Sequence, residues 1–132
     1  GAVPERLAGV ELLASPQAFL QPNAAAAEVL YRTVGAFAAL GPRDSVADLY
    51  CGIGSIALSL ASACRRVVGF EAAAAAVRDA DANAELNGVA NATFLRADLE
   101  RPGGGRQWRR GSHPLRAVLE ADVVVADPPR AG

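Results

Sequence analysis

The chain has 132 residues, 52% of them hydrophobic, and a formal net charge of −1. That length sets a single domain with a real core as the expectation, and the near-neutral charge neither demands nor excludes a nucleic-acid partner. Apolar runs fall far short of the ~20 residues that cross a bilayer, and no cleavable leader is read at the start, so a membrane role is not expected.

In chain order, "VELLASPQAFLQPN" reads as extended segments broken at Ser15-Pro16 and Pro22. Gln21 is held extended by the proline after it, and Asn23 suits a helix N-cap. Over 24–40, Val29, Leu30, Val34, Phe37 and Leu40 recur at helical spacing, and Gly41-Pro42 closes that helix. "SVADLYC" is a short buried strand, followed by a glycine loop and a helix in "IALSLASAC". "RVVGFE" is a second strand, and "AAAAAVRDADANAELNG" a helix with Asn87-Gly88 as a left-handed cap. "ATFLRADLE" and "ADVVVADPP" are the third and fourth strands, with a short helical turn expected in "LRAVLE". Strands alternating with helices of this length predict parallel βαβ units, and strands apolar on both faces predict a sheet covered on both sides. The fold class is therefore α/β with a parallel sheet of about four strands, preceded by a strand/helix segment over 1–41.

Charge is unevenly spread. Residues 101–116 carry five arginines and no acid, and the remainder sums to −6. This stretch holds four glycines, Trp108 and His113. It reads either as a solvated insertion or as an RNA contact through phosphates and stacking. Cys51 and Cys64 lack metal-ligand spacing, so no metal is expected, and they fit a reducing, intracellular compartment. Gly1 in place of a methionine and the stop at "DPPRAG" suggest a piece of a longer chain.

Gly52, Gly54 and Ala57 fit G-x-G-x-x-G/A between a strand and a helix, and Glu71 follows about 20 residues later, where a carboxylate accepts from ribose hydroxyls. An adenosine ligand at the carboxyl edge of the sheet is expected. Asp48, Glu71, Asp98 and Asp127 all fall at or near successive strand ends, hence on one rim. Four carboxylates repel a pyrophosphate, which wants a bare helix N-terminus. They attract an ammonium and a sulfonium, which points to S-adenosylmethionine. Each acid taken singly could equally cap a helix or face solvent.

"DLYCGIGSIALSLA", "VVGFEAAAAAVRDADANAELNGVANATFLRADLE", "VVVADPPRAG" and the earlier "SPQAFLQPNAAAAEVLY" together resemble the RNA uracil-5 methyltransferases, most closely the transfer-RNA enzymes, eukaryotic ones included. The resemblance implies a Rossmann-like methyltransferase fold, with 1–132 as the S-adenosylmethionine-binding part and a basic insert at 101–116. It implies that Gln21 contacts the cofactor and that Tyr50 and Ser55 match the aromatic and small polar residues of the glycine loop. Some members carry asparagine at the Ser55 position. It further implies Glu71 at the ribose, Asp98 beside the adenine and Asp127 near the reacting centre. Arg130 stands where amino-methylating enzymes carry an aromatic, which favours methylation at carbon or a phosphate-facing arginine.

Carbon 5 of uracil becomes nucleophilic only after a thiolate adds to carbon 6, so the reaction needs a cysteine and a base. Cys51 lies inside the cofactor loop among acids that raise a thiol pKa, and Cys64 lies at the far end of the following helix. Neither is expected to attack. The resemblance places the nucleophile and the glutamate base beyond Gly132. These 132 residues are thus expected to bind the cofactor, to be inactive alone, and to meet RNA, expected to be tRNA, through the full-length protein. The outer edge of the fourth strand is expected to promote self-association. Three other readings remain: a different S-adenosylmethionine-dependent methyltransferase, a non-catalytic binding module, and an NAD-dependent oxidoreductase domain.

Overall fold

The computed structural model describes residues 3–7, 10–14, 39–99 and 114–126. Two sheets are formed among them. Strands β1 (Val3–Leu7) and β2 (Val10–Ala14) pair antiparallel as a hairpin, with Arg6 opposite Glu11. The second sheet is wholly parallel, in the order β5-β4-β3-β6, from β3 (Ser45–Leu49), β4 (Arg66–Glu71), β5 (Ala92–Arg96) and β6 (Val123–Ala126). These are the four parallel strands the apolar runs predict. The hairpin's first strand is unforeseen, because Pro4 argues against pairing except at an edge. The helix expected over 24–40 lies, as far as position 38, outside the described residues.

Helix α1 (Ser55–Leu60) joins β3 to β4 through a 3-10 turn at Ala61–Ala63. It is shorter than "IALSLASAC" predicts. The Ser59 hydroxyl bonds back to the Ile56 carbonyl at 2.7 Å, an arrangement that competes with regular helix. The Asn91 side chain then takes the Ala61 and Cys64 carbonyls at 2.7 and 3.2 Å, replacing the bonds the helix no longer makes. Helix α2 (Ala74–Leu86) joins β4 to β5. It ends as Asn87-Gly88 predicts. Gly88 adopts φ +63°, its N–H donates to Glu85 and the Val89 N–H to Ala84, the paired bonds of a Schellman cap. Helix α3 (Pro114–Glu120) precedes β6, and Arg116 Nε donates to Glu120 Oε1 at 2.8 Å one turn on.

Apolar side chains alternate across the sheet, as period-two geometry requires. Val46, Val67, Phe94, Val123 and Val125 pack with α1 and α2 on one face. Ala47, Val68, Phe70 and Leu95 pack with Ala117, Val118 and Ala121 of the α3 region on the other. At the amino edge, Asp122 Oδ2 accepts from the Ser45 N–H at 2.8 Å and from its hydroxyl at 3.2 Å, while the Asp122 N–H donates to the Ser45 carbonyl. These bonds from Ser45, helped by Arg65, hold the Asp122 carboxyl below its ordinary range. They also fix where β6 begins against β3.

The chain runs outward from β3 through β4 to β5, then returns to place β6 on the other side of β3. The order reverses at β3, so the crevice beyond its carboxyl end is the topological switch point, where open α/β sheets bind ligands. Among the described residues, no helix is long and apolar enough to cross a membrane, and no group of three His, Cys, Asp or Glu side chains could hold a metal.

Candidate functional site

The segment after β3 turns sharply. Tyr50, Gly52 and Gly54 all adopt left-handed backbone, at φ +59°, +56° and +89°. For Tyr50 that conformation costs roughly 1–2 kcal/mol, so the surrounding bonds must impose it. The Cys51 N–H donates to the Phe70 carbonyl, the Gly54 N–H to the Cys51 carbonyl, and the Leu58 N–H to the Gly54 carbonyl, which opens α1. The loop is therefore sewn to β4 on one side and to its own helix on the other.

Glu71, the last residue of β4, supplies the remaining tie. Its Oε1 accepts from the Gly52 N–H at 3.2 Å and its Oε2 from the Ala73 N–H at 2.7 Å. One carboxylate thus links the loop after β3 to the turn after β4. Arg96 Nε braces the same turn through the Ala72 carbonyl at 3.1 Å. Asp48 sits one residue before the end of β3, opposite Gly69 and Val125, and is only 1% exposed.

Burial drives the Cys51 thiol pKa well up, and the charges of Asp48, Glu71 and Asp81 push it further. Burial and these charges oppose the thiolate that a nucleophile needs. Cys64 is also buried, its thiol pKa raised chiefly by burial, with its sulfur against the Leu60 and Arg66 carbonyls. Both are packing residues.

Two glycines are required by what lies beneath the loop. A Cβ on Gly54 would come within 2.9 Å of Phe94 Cζ, and one on Gly69 within 2.7 Å of Phe94 Cδ1 and 2.8 Å of Cys51 Sγ. Gly52 differs: a Cβ there would meet nothing within 4 Å, so the loop opens to free space beside Glu71.

Of the residues singled out from sequence, Asp48, Tyr50, Gly52, Gly54, Ser55 and Glu71 are brought to this loop, Ser55 as the first residue of α1. Asp98 is exposed just past β5, whose following residue Ala97 donates its N–H to the Glu71 carbonyl. Gln21 and Asp127 lie outside the described residues, as do 101–113 of the arginine-rich insert. Asn83, which sequence reasoning passed over, is fully buried on α2, and its Nδ2 donates to the Ile53 carbonyl at 3.0 Å. The available signal was an amide at helical spacing from Ala76 and Ala80, since a polar group on an apolar face implies a bonding partner.

Residues 11–132 match the profile of the tRNA (uracil-5-)-methyltransferase family. The chain belongs to that family. It is 40% identical, over its whole length, to an "uncharacterized RNA methyltransferase" of Chlorobaculum tepidum, and 38% identical over 99% of its length to one of Geobacter sulfurreducens. It covers 26% and 25% of those proteins, so it spans about a quarter of the curated relatives it matches. Among solved structures, the tRNA (uracil-54, C5)-methyltransferase of Pyrococcus abyssi in complex with S-adenosyl-L-homocysteine is 30% identical, with a TM-score of 0.73 over 99% of this chain and 29% of that one. A methyltransferase of Thiobacillus denitrificans is 21% identical over 75% of this chain and 36% of that one, with a TM-score of 0.54, and shares the fold. The sheet of this family member is thus the Rossmann-like methyltransferase sheet the resemblance implies.

The glycines separate two kinds of constraint. Gly54→Ala and Gly69→Ala each add a methyl against the Phe94 ring and should lower stability by about 1–3 kcal/mol. Gly52→Asn adds only backbone strain at a residue type that tolerates it and should cost less than either. Urea unfolding midpoints check the order; a Gly52→Asn variant less stable than Gly69→Ala contradicts it.

Proposed function

We propose that these residues form the S-adenosylmethionine-binding part of an RNA methyltransferase that methylates carbon 5 of uridine in tRNA. The observation that carries the reading is the Glu71 carboxylate on the Gly52 N–H. In a dinucleotide site the glycine-loop donors turn toward a pyrophosphate. Here the N–H groups of Cys51, Gly52 and Gly54 are all used within the protein, and the Glu71 carboxylate stands beside Gly52 at the open side of the loop. That suits a cation with hydroxyls and disfavours a polyanion, which argues against the NAD reading. Family membership and the P. abyssi likeness support the same choice.

When bound, S-adenosylmethionine supplies an electrophilic methyl group. Glu71 is assigned the ribose hydroxyls, and Tyr50, Gly52, Gly54 and Ser55 the wall of the loop. Asp48 contributes negative potential behind it, and Asp98 flanks the adenine. Gln21 and Asp127 are assigned cofactor contacts by their match to the family pattern. Carbon-5 chemistry needs a thiolate and a base, and Cys51 and Cys64 are unsuited by burial. The nucleophile and base are therefore assigned to other parts of the enzyme, as is most of the RNA contact.

The full-length protein should form 5-methyluridine in tRNA. Glu71→Ala should raise the KM for S-adenosylmethionine about tenfold or more, the loss expected for hydrogen bonds to a charged group. The 132 residues alone should bind S-adenosylhomocysteine and yield no 5-methyluridine. An unchanged KM contradicts the role of Glu71, and product from the 132 residues contradicts the assignment of the nucleophile.

The outer edge of β6 has no strand partner among the described residues, and it is apolar. We propose self-association of the isolated 132 residues through that edge. Sedimentation should show species heavier than a monomer at high concentration; a monomer throughout contradicts this.

A further inference from the structure

Asn83 reaches the glycine loop from below. It stands on α2 in line with Ala76 and Ala80, is 0% exposed, and donates through Nδ2 to the Ile53 carbonyl at 3.0 Å. The N–H of that same peptide unit belongs to Gly54 and donates to the Cys51 carbonyl at 2.9 Å. The Ile53–Gly54 peptide is therefore bonded at both ends, each time within the protein. It needs to be. Glycine tolerates left- and right-handed backbone alike, so Gly54 at φ +89° does not by itself stop this peptide from flipping. Ile53 is itself 2% exposed, so its carbonyl requires a protein donor. The neighbouring residues on this face of α2, Ala76, Ala80 and Ala84, offer none.

We propose that Asn83 is a positioning residue for the cofactor loop. Its amide fixes the orientation of the Ile53–Gly54 peptide, and so keeps Gly52 and Gly54 in the left-handed shape that takes the adenosine ligand. This rests on the cofactor reading above. The bond spans 30 positions in sequence and joins α2 to the loop. The packing of α2 on the sheet is carried separately, by Ala76, Val77, Ala80, Ala84 and Phe94. Removing the amide while leaving a side chain of similar size frees the peptide without emptying the core.

The test uses the full-length protein and S-adenosylhomocysteine as the probe. Asn83→Leu and Asn83→Ser should each weaken binding about tenfold, as expected when a buried carbonyl loses its donor. Ala84→Gly, which weakens the same helix without touching the loop, should leave affinity within about twofold at a matched loss of melting temperature. Hydrogen exchange supplies a readout that needs no variant. In the wild type the Gly54 amide should be protected as well as the sheet amide of Val67, and in the Asn83 variants it should lose protection selectively. Equal weakening by Ala84→Gly, unchanged affinity in the Asn83 variants, or a Gly54 amide that exchanges freely in the wild type overturns the proposal. A wild type that does not bind S-adenosylhomocysteine overturns the cofactor reading and the purpose given to Asn83, whereas the exchange of Gly54 still reports whether its peptide is held.

Discussion

One carboxylate organises this end of the molecule. Glu71 accepts from the Gly52 N–H with one oxygen and from the Ala73 N–H with the other, so two loops that the sheet merely places side by side become one surface. The electrostatic character of the crevice follows. A glycine loop whose N–H groups point outward is a phosphate cradle. This loop spends the N–H groups of Cys51, Gly52 and Gly54 internally and sets the Glu71 carboxylate beside Gly52. Burial is the main reason the Cys51 thiol pKa is raised, and the charges of Asp48 and then Glu71 add to it.

The fold delivers Glu71 to that place by register. Glu71 is the residue after Phe70, which pairs with Leu49, the last residue of β3. A slip of one residue would turn the carboxylate to the other face and break the tie. Below the loop, the approach of backbone to sheet is set by what has been left out. Gly54 and Gly69 lie against the Phe94 ring at distances no Cβ could occupy, and Ala80 lies 3.3 Å from where one on Gly54 would stand. Gly69 is therefore not a weak point in β4. It is the space that lets Phe94 fill the gap between sheet and loop.

Much of this was legible in the residues. The parallel strands are short apolar runs bounded by glycine, asparagine and proline, and such runs need only burial on both faces to be read correctly. Gly88 announces its cap because only a left-handed residue ends α2 that way. The loop and Glu71 are visible as spacing. Three features were not legible, each for a physical reason. Pro4 conceals β1, because an edge strand tolerates what a central one does not. The early end of α1 depends on Asn91, 30 positions away from Ala61, and no local pattern reports it. Asn83 lies in a polar-looking stretch, "DADANAELNG", where its burial shows only once the alanine face is aligned.

The central claim is that the crevice beyond β3 selects an adenosine ligand without phosphate over an anionic dinucleotide. Calorimetric titration of the full-length protein with S-adenosylhomocysteine and, separately, with NAD tests it most directly. The account predicts saturable heat with S-adenosylhomocysteine and none with NAD. Saturable binding of NAD, lost in Glu71→Ala and so located in that crevice, would contradict it.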